Sequence, residues 1–87
     1  MPTEQAKRVP NYDNRDGSLI CYWKHGDSGE WYIHFPTADG HGLLGGLANH
    51  SIEEHEDGTI SVTPSILTTG HNEQRHGYLT KGVWSEC

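Results

Sequence analysis

Apolar and polar residues alternate most clearly over EWYIHF (30–35), where Trp31, Ile33 and Phe35 fall on one side and Tyr32 and His34 on the other. A period of two is that of a strand. The stretch before it, SLICYWK (18–24), is equally rich in β-branched and aromatic residues, with Leu19, Cys21 and Trp23 on one side. The turn-forming HGDSG between the two predicts a hairpin. If the Leu19 side faces inward, Cys21 is a small core residue.

Further along, TISVT (59–63) alternates again, with Ile60 and Val62 inward. Pro64 has no amide proton for a ladder, so it interrupts the strand, and SILTT resumes as an edge. HGYLT (76–80) and GVWSEC (82–87) predict a terminal hairpin. A two-residue turn at Lys81-Gly82 sets Leu79 opposite Trp84 and His76 opposite Cys87. A three-residue loop moves His76 opposite Glu86. The first register puts both large apolar residues on one face and is favoured, although two-residue turns prefer Asn-Gly or Asp-Gly.

Two stretches lack a clear period. Residues 1–17 are polar, with two prolines and an Asp-Gly turn signal. They read as an extended arm, expected to be held by a neighbouring subunit, with residues 18–87 forming one small β domain. Residues 36–58 contain GLLGGLAN, whose glycines disfavour a helix. They are read as a long glycine-rich loop laying Leu43, Leu44 and Leu47 on the sheet. The predicted architecture is all-β: a small sandwich or partly open barrel of five to seven short strands.

Composition narrows the function. Eighty-seven residues, 32% of them apolar and 11 of them glycine, allow one modest core built on Trp23, Trp31, Trp84, Phe35, Tyr22, Tyr32 and Tyr78. Some stability is therefore expected from a partner, or from further copies of the chain. A net charge of −6 with six Lys and Arg leaves too few cations to track a nucleic-acid backbone. No apolar run is long enough to cross a bilayer, and the start has no apolar segment of signal-peptide type. The expected setting is the interior of a cell, where Cys21 and Cys87 are thiols or metal ligands.

Seven histidines raise the question of a metal: His25, His34, His41, His50, His55, His71 and His76. His50/His55 and His71/His76 have H-x4-H spacing, but neither pair is joined to a cysteine pair, as structural zinc sites require. HNEQRH (71–76) lacks the order in which a helix presents two histidines and a glutamate base. Ser65 is not in a nucleophile elbow, and Cys87 is too near the end to be held rigidly beside a base. GHGLLGG has no lysine to make a phosphate loop. Glu53, Glu54, Glu56 and Asp57 form a solvated acidic run without the apolar surroundings that tune a catalytic carboxyl. No catalytic constellation emerges, and a non-enzymatic protein is expected.

Thr63, Pro64, Ser65 and Ile66, followed by His76, Gly77, Tyr78, Leu79 and Gly82, resemble a family of small phage and prophage proteins. Some of its members carry the label ammonia monooxygenase. Its pattern is a P-T-x-[ST]-P-S-[IL] strand, then a histidine-glycine-aromatic hairpin and a late cysteine, here Cys87. The resemblance covers the last third of the chain and implies a phage origin without an established reaction. Family members carry further cysteines, and Arg75 stands where one precedes the histidine. A family metal site would here reduce to Cys21, His25, His76 and Cys87. No cofactor is expected otherwise; zinc is the one candidate.

These readings converge on a minor virion component of decoration or cement type, in the virion or host cytoplasm, acting through contact with a capsid or other virion protein. The alternatives are a small acidic inhibitor of a host defence protein and a zinc-stabilised module or zinc enzyme.

Overall fold

The computed structural model describes residues 3–70 and 73–87. Among them are nine strands and one turn of 3-10 helix, Tyr12–Asn14. The strands are β1 Thr3–Gln5, β2 Lys7–Arg8, β3 Cys21–Lys24, β4 Trp31–Phe35, β5 Leu43–Gly46, β6 Ser51–Glu54, β7 Ile60–Gly70, β8 Glu73–Thr80 and β9 Val83–Glu86. One sheet runs β1-β9-β8-β7-β6 and the other β2-β3-β4-β5. All neighbours are antiparallel except β2 and β3. The inner faces share one core, in which Tyr22, Ile33 and Phe35 of one sheet meet Ile60, Leu79 and Trp84 of the other. The fold is a small open sandwich, all-β as expected.

The β3–β4 hairpin forms as its alternation predicts, with Trp31, Ile33 and Phe35 buried in the core. The inward side of β3 is nevertheless that of Ile20 and Tyr22. Cys21 and Trp23 face outward and are buried in a second, smaller cluster with Val9 and Tyr32. Leu19 is left exposed. A strand covered on both faces carries no period to read.

The terminal hairpin takes the two-residue turn. Leu79 pairs with Trp84 and Tyr78 with Ser85, and the Cys87 amide donates to the His76 carbonyl at 2.9 Å. Lys81 (φ 48°) and Gly82 (φ 77°) are both left-handed, as a type I′ turn requires. The same register places Tyr78 outward, so it is a surface residue and not part of the core.

Residues 36–58 are not one loop, because they supply β5 and β6. The glycines that argue against a helix serve another purpose. A side chain at Gly45 would come within 2.7 Å of the Thr68 hydroxyl on β7. Glycine in a strand often marks such a close approach. Leu43 and Leu47 are buried as expected, and Leu44 points to solvent. Pro64 falls where the β7–β8 register shifts, between Val62 and Ile66. Beyond it β7 pairs on one side only, with β8.

Residues 3–9 of the stretch read as an arm pair within this chain. β1 lies on β9 and β2 on β3, while Ala6 and Val9 are buried. Arg8 crosses the Trp31 ring and donates to the Gly58 carbonyl at 2.9 Å, tying this segment to the β6–β7 turn.

Candidate functional site

The outer face of β3 and β4 carries a row of rings. Trp23 stacks against Tyr32 across the strand pair (centroids 6.1 Å apart, planes 23°) and meets the edge of Tyr12 at 5.8 Å. His25 closes the row edge-on to Tyr32. Trp23 is buried beneath its neighbours, whereas Tyr12 and Leu44 are about half exposed.

Tyr12 reaches this face from an irregular connection, and its position is built locally. Asn11 caps the 3-10 turn by accepting from the Asn14 amide. Arg15 lies over the Tyr12 ring, 3.8 Å from its centroid. Its Nε donates to the Tyr12 carbonyl at 2.7 Å, and its Nη1 reaches His34 Nε2 at 3.1 Å. A guanidinium only donates, so His34 accepts through Nε2 and carries its proton on Nδ1. That Nδ1 is buried without a hydrogen-bond partner among the described residues, and a side chain at Gly42 would run into the ring. Burial, and secondarily the Arg15 charge, push the His34 pKa down.

Two cavities adjoin the row and share Tyr12, Trp23 and His25. One, of about 230 Å³, is bordered by Pro10, Asn11, Asp13, Lys24 and Asp27. The other, of about 270 Å³, is completed by Tyr32 and Leu44 and is almost wholly apolar. Together they form a shallow groove. Glu30 accepts from the Tyr32 hydroxyl at 3.2 Å, which holds that phenol protonated and raises its pKa.

A third cavity, of about 440 Å³, opens between the β2 segment and the β6–β7 turn. It is lined by Ala6, Leu19 and Tyr22, with Arg8 held across it. It gathers no set of groups for chemistry.

The four residues of the reduced metal site are not brought together. The Cys21 thiol is fully buried, accepting from the Asp16 amide at 3.3 Å and donating to the Leu19 carbonyl at 3.5 Å. His25 stands at the β3–β4 turn, where its Nδ1 accepts from the Ser28 amide. His76 and Cys87 are paired on the other sheet, with His76 Nε2 3.0 Å from the Ser65 hydroxyl. The His50/His55 pair is also divided. His50 approaches the Ser65 carbonyl and His55 the Ser61 hydroxyl, while His71 lies outside the described residues. Among the described residues no three His, Cys, Asp or Glu side chains are placed to hold a metal ion. In the acidic run, Glu54 pairs with Arg8 and Asp57 caps Thr59. No protein-family model, curated protein or solved structure matches the chain.

The sequence marks Trp23 and Tyr32 as aromatic but gives no sign that Tyr12, Arg15 and His34 join them. The alternation in 30–35 does put His34 beside Tyr32 on the outer side. The partners it meets there come from a stretch without a period.

His34 makes this face sensitive to acid. A histidine whose folded pKa lies below its unfolded value stabilises the fold fully above about pH 6.5 and loses that contribution as pH falls through the folded pKa. The groups facing it are the Arg15 cation and, across the strand, the Cys21 thiol. Asp16 and Asp57 are held below the ordinary carboxylate range by Ser18 and Thr59, so their contributions are lost only in stronger acid. The melting temperature should therefore fall as pH drops below about 6.5, with a shallower fall in His34→Gln. Equal slopes in thermal melts of the two proteins would refute the assignment.

Proposed function

We propose that this chain is a non-enzymatic interaction module whose contact surface is the aromatic groove on the outer face of β3 and β4. One observation carries the reading: apolar Tyr12 and Leu44 stand half exposed along a concave, ring-lined surface in a chain with little apolar content. Unlike singly exposed apolar side chains, these two border one apolar hollow, which gives a partner ground to cover. The titratable groups beneath it, Cys21 and His34, are engaged in holding the segment 12–16. That favours a structural role for them over catalysis.

The resemblance of 63–66 and 76–82 supplies the setting, a phage particle, and the partner is then another virion protein. Residues 3–9 pair within the domain, so the contact passes from the expected arm to the sheet face. Mass spectrometry of purified virions should find the wild-type chain at a fixed ratio to the capsid protein. Leu44→Glu, a surface change, should leave the melting temperature unaltered and strip the chain from the particles. Virions that contain no copy of the wild-type chain would end this reading.

A further inference from the structure

We infer that the groove takes an extended, proline-containing peptide segment of its partner, with a basic side chain seated at the Asp13/Asp27 end. This rests on the reading of the groove as the contact surface. It adds the chemistry of what enters.

The shape is the first reason. Tyr32 stacks on Trp23 and Tyr12 stands at a steep angle to it, so Trp23 is a floor walled by neighbouring rings, with two hollows lined by them. A sugar ring needs an open aromatic face to stack on, and Trp23, only 3% exposed, does not offer one. Proline is compact and apolar and fits a small apolar hollow of this kind. A polyproline II segment is already extended before binding and loses little entropy on docking. Two hollows that share Tyr12, Trp23 and His25 give such a segment adjoining places for successive side chains.

The charge is the second reason. The apolar hollow bounded by Leu44 has no charged wall, whereas the other places Asp13 and Asp27 beside a single Lys24. Neither carboxylate forms an ion pair among the described residues. On a chain of net charge −6 this end selects a cation. The same charge excludes a nucleic-acid strand, whose stacked bases would bring phosphates to the same place.

The test uses the full chain, isotope-labelled, and a short synthetic peptide with two proline pairs and an arginine at one end. Saturable shifts should appear at the Trp23 indole and at the amides of residues 11–13 and 24–27. Exchanging the prolines for alanine, or the arginine for glutamate, should each weaken binding by about tenfold or more. Tyr12→Ala should do the same. Because Tyr12 is half exposed, that variant should fold; should it not, Asp13→Asn with Asp27→Asn must still abolish the preference for arginine over glutamate. No shifts at millimolar peptide, or shifts indifferent to both proline and charge, would overturn the inference. So would an oligosaccharide that displaces the peptide, or self-association of the chain through these same residues. If the peptides fail while Leu44→Glu still strips the chain from virions, the contact surface stands and only its occupant is wrong.

Discussion

Trp84→Ala should strip away a large part of the fold's stability. The indole is completely buried, in edge contact with Phe35 at 4.8 Å across the sandwich. Truncating a buried tryptophan costs about 3–5 kcal/mol. A domain of 87 residues has in all about 4–13 kcal/mol of stability, at about 0.05–0.15 kcal/mol per residue. Loss of volume is only part of the effect. Trp84 Nε1 donates to Glu86 Oε1 at 2.7 Å, and the same oxygen accepts from Arg75 Nε at 2.6 Å. Arg75 also binds Glu4 and lies 5.2 Å from the Phe35 ring centroid, so the indole orders the charged network that joins β1, β8 and β9. Trp84→Phe keeps an apolar ring and loses the bond to Glu86, and should cost about 1–2 kcal/mol. Near-ultraviolet dichroism and thermal melts separate the cases. A cooperative melt of Trp84→Ala within a few degrees of the parent would contradict this account of the core.

Gly77→Ala should be the most damaging single-methyl change. A Cβ there would stand 2.1 Å from the Ser85 carbonyl oxygen and 2.9 Å from the Trp84 ring. Neither obstacle can step aside. The carbonyl belongs to the β8–β9 ladder, and the ring is backed by Phe35. Overpacking of this kind costs about 1–3 kcal/mol. At the upper end the midpoint should drop by about 12–24 °C, given about 4–8 °C per kcal/mol for a domain of this size. Gly26→Ala, where nothing lies within 4 Å, is the control and should stay within about 0.5 kcal/mol of the parent. Equal melting of the two variants would refute the packing argument. The glycine after His76, read from sequence as part of a family pattern, thus has a steric reason to be there.

What could be read from the sequence follows from which faces are covered. β4 alternates because its two sides meet different surroundings, and the 79–84 register was decided by two apolar residues that had to share a face. β3 is buried on both sides, so its pattern leaves the inward side open. The strands in 36–58 were hidden by glycines whose purpose is the closeness of Gly45 to Thr68, a contact between sheets that no local pattern contains. β1 and β2 are short and exposed, and only Ala6 and Val9 between and beyond them are buried. The candidate groove was half legible. Its floor, Trp23 and Tyr32, lies on predicted strands, while its wall depends on Arg15 bridging Tyr12 to a histidine 19 residues onward.

The pairing of Thr3 with Ser85 bears on how the molecule is made. The first strand has no place in its sheet until β9 exists, and almost the whole domain lies between them. Closure over such a separation is slow compared with hairpin formation. The β3–β4 hairpin can form early, while residues 3–5 stay unpaired until β9 is in place. Completion of the five-stranded sheet is therefore a late folding event, and a chain cut before residue 83 is left with β1 unpaired and Trp84 missing from its core.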